Sequence, residues 1–237
     1  MSKLEPVFDH DHAAQYDQQF TALYAVKDAL HLAIDIAFEG LGANARLLVV
    51  GAGTGQEIVA LGKRRPNWKF VAVDPSEPML DMARRKLSEQ GMLDRCILHV
   101  GTLDTLPTTE DFDAATAILV SHFFTEGEER RAFLKRIAGH LRLGGQFFLA
   151  DLSADIEPTA QAEALVWWAR ALGRAMSEEG VTALLQAYGR DVALSTPPEV
   201  SSYMTESGLT SPVCVYQFGL IRGWQAQRKP PVEPPLR

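Results

Sequence analysis

Three glycines at alternating positions, Gly51, Gly53 and Gly55 in VVGAGTGQ, follow an apolar run and precede a helical pattern. Having no side chains, they leave room for a ligand to approach the backbone, and the helix that follows presents unpaired amides at its start. That chemistry suits a nucleotide or nucleoside. Asp74 closes the next apolar run, about 20 residues after Gly55, the distance at which an acid accepts hydrogen bonds from ribose hydroxyls. The competing reading of Asp74 is an acid at a helix N-terminus. The spacing is G-x-G-x-G, not the G-x-G-x-x-G of dinucleotide sites, which argues against a nicotinamide dehydrogenase.

Two further residues could move or orient a proton. His122, in LVSHFF, is a candidate general base because histidine changes charge near neutrality; the competing reading is a packed wall residue. Asp151, at the end of QFFLAD, either orients an acceptor or caps the segment after it. His10 and His12 alternate with Asp9 and Asp11, a pattern read as solvated, so no metal site is expected. Leu165, Trp168, Leu172 and Met176 recur at helical spacing beside Trp167, either as a packing stripe or as the wall of an apolar acceptor pocket.

The elements that must hold these residues follow from periodicity. Two helices are expected at about 9–20 and 21–39, closed by Gly40 and Gly42. RLLVV is a continuous apolar run, as in a parallel strand buried on both faces, and GAGTG turns it into a helix running to about Arg65. KFVAV, CILHV, FDAATAILV and QFFLAD are further strands, the last delivered by the turn LRLGG. Ser76 is the N-cap of the helix carrying Met79, Leu80, Ala83 and Leu87. Thr125 with Glu128, and Thr196 with Glu199, have capping-box spacing. PVCVYQF and IRGWQAQ, separated by a short turn at Gly219, must pair antiparallel.

The expected fold is therefore α/β, a doubly wound, mainly parallel sheet with a C-terminal antiparallel hairpin and a helical lid. Residues 1–45 form an N-terminal helical cap, 46–153 with 195–228 the core, 154–194 the lid insertion and 229–237 a disordered tail. The lid belongs at the carboxyl ends of the strands, where such sheets bind ligands.

The 237 residues are 46% hydrophobic and 22% charged, which permits a sizeable core in one large domain with a cap. No window is apolar and long enough to span a bilayer, and MSKLEPVFDHDHAA lacks a signal peptide's apolar stretch, so a cytoplasmic chain is expected. A net charge of −7 argues against nucleic acid. The trios Lys63–Arg65 and Arg84–Lys86 fall at predicted helix ends, where cations complement the dipole. Cys96 and Cys214 sit in apolar runs and are expected to be reduced core thiols.

With these residues in place, the chain resembles the class I S-adenosylmethionine-dependent methyltransferases from about Tyr16 to Arg228. Four segments in order carry the resemblance: LLVVGAGTG, FVAVDPSEPML, HVGTLDTLP and LRLGGQFFLADL. It implies a seven-stranded sheet and a site for S-adenosyl-L-methionine, with S-adenosyl-L-homocysteine as product. The opening AAQYDQQF looks like the segment whose tyrosine, here Tyr16, closes over the cofactor's methionine end. Gly51, Ala52 and Gly53 would lie along the methionine and ribose, and Asp74 would hold the ribose hydroxyls. Pro75 and Met79 would pack near the adenine, Thr102 and Leu103 would meet its edge, and Leu119 with Val120 would lie beneath the cofactor. Two positions depart from the family. The acid common two residues before the first glycine is Val49 here, with Glu57 or the N-terminal helix as its replacement. The acid usual after the third strand is Thr102, with Asp104 two residues on.

The resemblance implies methyl transfer by in-line displacement to an oxygen, nitrogen or carbon of a small-molecule acceptor. The lid, with Trp167 and Trp168, and the N-terminal helices are expected to cover the acceptor pocket, because they lie outside the alternating strand–helix pattern. A base is needed only if the acceptor is protonated. Two alternatives stay open: a cofactor-modifying enzyme of the carboxy-S-adenosylmethionine synthase type acting in tRNA wobble-uridine modification, and a non-catalytic cofactor-binding module. A homodimer is left open as well.

Overall fold

The computed structural model describes residues 23–107, 111–154 and 157–230. The expected helix at 9–20, Tyr16, the paired histidines near the start and residues 231–237 lie outside the described residues.

The chain enters through α1 (Tyr24–Ala37), then alternates β1 (Arg46–Val50), α2 (Gln56–Arg64), β2 (Lys69–Asp74), α3 (Glu77–Glu89), β3 (Cys96–Val100), β4 (Phe112–Ile118), α4 (Gly127–His140) and β5 (Leu141–Leu152). Two helices, α5 (Pro158–Leu172) and α6 (Glu178–Ala187), form an insertion before α7 (Pro197–Glu206) and the hairpin of β6 (Val213–Phe218) and β7 (Ile221–Gln227). The sheet has seven strands in the order β3-β2-β1-β4-β5-β7-β6. Strands β1 to β5 run parallel, while β7 is antiparallel to both β5 and β6.

Strand β1 shows why its sequence is apolar throughout. Leu47 and Val49 pack on one face with Ile34 of α1 and Phe38 at its C-cap, Ile58 and Leu61 of α2, and Leu80 and Leu87 of α3. Leu48 and Val50 pack on the other with Leu134 and Ile137 of α4 and Val200 and Met204 of α7. Side chains alternate across a strand, so a strand covered on both faces needs apolar residues at every position. The reversal of strand order between β1 and β4 opens a crevice at their carboxyl ends.

The helix starts follow their caps unevenly. Ser76 Oγ accepts the Met79 N–H at 3.3 Å, and Thr196 forms the expected box with Glu199. The box expected at Thr125 does not form, because α4 starts one residue later with Glu126 as N-cap and no side-chain cap. The LRLGG turn is part of β5 instead: Leu141 already pairs with Phe112, and the register shifts before Ala114. Gly144, at φ +73°, takes up that irregularity.

The insertion has its own apolar cluster, in which Trp168, Leu172 and Val181 pack on Leu220 and Ile221 of the hairpin. Its return is tied down where Ser153 bridges Ser195. The cysteine expectation is half corrected. Cys96 is partly buried, but Cys214 is exposed, because β6 is the outermost strand and presents its face to solvent. Lys229, assigned to the tail, still donates its N–H to Gly208 O at 2.9 Å.

Candidate functional site

The glycine loop is shaped by backbone that only glycine adopts easily. Gly51, Gly53 and Gly55 have φ of +69°, +51° and +75°. A Cβ on Gly51 would run into Val120 Cγ2, whereas one on Gly53 would project into open space. The first glycine therefore lets β1 approach the end of β4, and the second keeps the crevice clear.

Asp74 braces this loop from the end of β2. Its Oδ2 accepts the Gly53 N–H at 2.8 Å and its Oδ1 accepts the Ser76 N–H at 2.9 Å. Burial pushes its carboxyl above the usual range, and the two backbone donors oppose that shift. Each oxygen keeps a second lone pair with which to accept a ligand hydroxyl. The two readings of Asp74 thus coincide: the acid that organises the next helix start also faces the crevice.

The crevice is lined by Gly51, Gly53, Asp74, Pro75, Met79, Leu119 and Val120, all expected at the site, together with Ser76, Ile118 and Phe123. Leu119 has φ +56°, a left-handed conformation that costs a branched residue about 1 kcal/mol or more. It turns the chain at the end of β4, where its N–H donates to Ala150 O at 2.8 Å. Ala52 and Gly55 belong to the same loop, with Gly55 as the N-cap of α2. Thr102 and Leu103 do not line the crevice. Leu103 is buried in the core beneath it, and Thr102 is held in a short turn by Thr105 Oγ1. Asp104, two residues after Thr102, pairs with Arg136 of α4 at 3.2 Å and does not line the crevice.

Beyond β4, the short turn Ser121–Phe123 brings His122 onto the end of β5. Asp151 Oδ1 meets His122 Nδ1, Ser121 Oγ donates to Oδ2, and the Leu152 N–H donates to Oδ1 at 2.8 Å. Asp151 is fully buried and His122 is 5% exposed. Burial alone would raise the Asp151 carboxyl. The His122 charge and hydrogen bond, Arg130 and Ser121 outweigh it and hold the group below the usual carboxylate range. Arg130 Nη1 donates to Ser195 Oγ at 2.5 Å, which links this pair to the return of the insertion. His122 does not itself line the crevice, but Val120 and Phe123 nearby in the chain do, and its ring centroid lies 4.4 Å from that of Phe123.

The two tryptophans separate. Trp168 is 3% exposed and donates its indole N–H to Tyr188 Oη at 2.8 Å, while Trp167 is 47% exposed and meets Phe218 edge-on. Trp168 therefore belongs to the packing stripe. That cluster shares Leu119 and Phe123 with the crevice, so the insertion adjoins the site. Sequence reasoning missed Ser121 and Arg130 as part of it. Ser121 is adjacent to His122 and could have been found; Arg130, inside the charged run EERR, gives no signal that it is buried. Among the described residues there is no cluster of potential metal ligands, and no helix is long and apolar enough to cross a membrane.

Comparison with known proteins agrees with this geometry. Residues 47–145, from β1 into β5, match the family model for a methyltransferase domain. The cypemycin N-terminal methyltransferase of a Streptomyces species is 38% identical over 105 residues, 44% of this chain and 40% of that protein. The demethylspheroidene O-methyltransferase of Cereibacter sphaeroides is 26% identical over 76% of this chain and 47% of its own length. The carboxy-S-adenosyl-L-methionine synthase of Nautilia profundicola is 24% identical over 61% and 60%. The chain thus spans 40% to 60% of these relatives. Among solved structures, the mitomycin 7-O-methyltransferase MmcR superimposes with a TM-score of 0.64 at 20% identity, covering 86% of this chain and 54% of that one. PigF, solved with S-adenosylhomocysteine, gives 0.64 at 14% identity, over 92% and 59%.

Proposed function

We propose that this chain, which carries a methyltransferase domain of the class I S-adenosylmethionine-dependent family, transfers a methyl group to a small molecule, with a hydroxyl oxygen as the acceptor atom. The observation that carries the choice of oxygen is the buried Asp151–His122 pair beside the crevice. An amine that is free at neutral pH needs no base, whereas a hydroxyl gains from one.

The residues fit the cofactor. The open side of Gly53 and the free lone pairs of Asp74 suit a ribose, and Pro75 and Met79 offer an apolar wall for a base. S-adenosylmethionine, when bound, supplies an activated methyl group on a sulfonium. Asp151 holds the His122 Nδ1 proton, which leaves Nε2 to take the proton of an acceptor hydroxyl. Leu119, Val120 and Phe123 give the site apolar walls that exclude water, and the insertion covers the acceptor. Transfer is then mainly a matter of alignment, because in-line attack needs the two groups held in one geometry. The name of one relative, the demethylspheroidene O-methyltransferase, supports the choice of oxygen.

Incubating the protein with S-adenosylmethionine and a panel of phenols, alcohols and amines, with products read by mass, tests this. The expected result is gain of one methyl group by hydroxyl compounds. A second reading, modification of the cofactor itself, is favoured by the Nautilia profundicola match. It predicts a carboxylated cofactor and no methylated acceptor in the same assay when a carboxyl donor is supplied.

A further inference from the structure

Glu57, in the first turn of α2, performs no step in the mechanism above, yet it is buried and its Oε1 makes no hydrogen bond among the described residues. The Thr116 hydroxyl on β4 approaches the carboxyl, and it too completes no hydrogen bond of normal geometry. Thr116 pairs in register with Val49. Two residues further along the same face of β4 is Ile118, which lines the crevice. The carboxyl therefore lies one strand step beneath the crevice floor, on the face covered by α1 and α2.

A lone buried carboxyl either keeps its proton or meets a cation. Burial pushes Glu57 up to about 7, with Thr116 opposing. The charged and titratable groups of the elements packed here are Tyr24, Lys27, Asp28, His31 and Asp35 on α1, Lys63 and Arg64 on α2, Glu77, Asp81, Arg84, Arg85, Lys86 and Glu89 on α3, and Asp113 on β4; among the described residues none of them shifts this carboxyl. S-adenosylmethionine carries two cations. In the mechanism proposed above its sulfonium faces His122 and the insertion, and Asp151 shares the opposite face of the sheet with Phe147 and Leu149. The α-ammonium is the cation left for the Glu57 side.

Building on the cofactor reading above, we propose that Glu57 is the counter-ion of the cofactor's α-ammonium group and releases its proton to solvent when that group binds. The acid absent at Val49 is thereby supplied from the adjoining helix.

Calorimetric titration near neutral pH, in two buffers of different ionisation enthalpy, reads the released proton directly. S-adenosylhomocysteine keeps the ammonium and lacks the sulfonium; it is expected to release about half a proton at about pH 7. 5′-Methylthioadenosine lacks the amino-acid end and is expected to bind without release. Affinity for S-adenosylhomocysteine should fall about tenfold between about pH 8 and about pH 6, and Glu57→Gln should abolish both the release and the slope. The parent measurement stands whether or not the variant folds. Binding of both ligands with no release, with equal release, or with release unchanged in Glu57→Gln overturns the proposal and leaves the cofactor site intact. Failure of both ligands to bind the parent overturns the cofactor reading, and this inference with it.

Discussion

Asp151 Oδ1 lies 2.5 Å from His122 Nδ1, joining residues 29 apart in the chain across the ends of two neighbouring strands. Ser121 and the Leu152 N–H occupy further lone pairs of the same carboxylate. The imidazole is thus fixed by its Nδ1 side, and Nε2 is the ring nitrogen that a base would use.

With a hydroxyl acceptor, His122→Ala should lower the methyl-transfer rate by about 10² to 10⁴. A small loss would show that His122 is a wall residue and that positioning alone suffices.

Asp151→Asn should cost about 3 kcal/mol at neutral pH, because it breaks a buried pair from one side. Since the folded carboxyl sits below its ordinary value of 3.8, the stability it contributes is fully present above that value. It is lost as pH falls through the lower folded value. Urea denaturation across acid pH should therefore show parent and variant converging as the solution becomes more acidic. A constant gap would mean that the carboxyl is not ionised in the fold.

Trp168→Ala should destabilise the insertion by about 3 to 5 kcal/mol, since the ring fills the cluster against the hairpin, where a Cβ on Gly219 would already crowd it. Trp167→Ala should cost far less. Limited proteolysis is the check: cleavage within residues 157–194 should rise in Trp168→Ala and stay near the parent rate in Trp167→Ala. Equal sensitivity of the two variants would contradict the separation of the two rings.

The sheet and the glycine loop are legible in the sequence because their causes are local. RLLVV is apolar at every position and GAGTG must take positive φ, so strand, turn and helix follow from adjacent residues. The His122–Asp151 pairing is not legible, because it depends on the parallel register of β4 with β5. The burial of Arg130 and of Glu57 was hidden for a related reason. Both sit in polar stretches of helices that look solvated, and only the packing of α4 and α2 on the sheet covers them. The exposure of Cys214 depends on strand order, since β7 inserts between β5 and β6 and leaves β6 at the edge.

The central claim is that the crevice at Gly51, Gly53 and Asp74 holds S-adenosylmethionine. Its most direct test is calorimetric titration of S-adenosylmethionine and S-adenosylhomocysteine into the parent and Asp74→Ala, at a single pH of about 8 where Glu57 is mostly ionised. The variant loses the acceptor for the ribose hydroxyls and the brace on the Gly53 N–H together. Both ligands should bind the parent, and both should bind the variant more weakly by about 2 to 3 kcal/mol. Equal affinity in parent and variant would contradict the account.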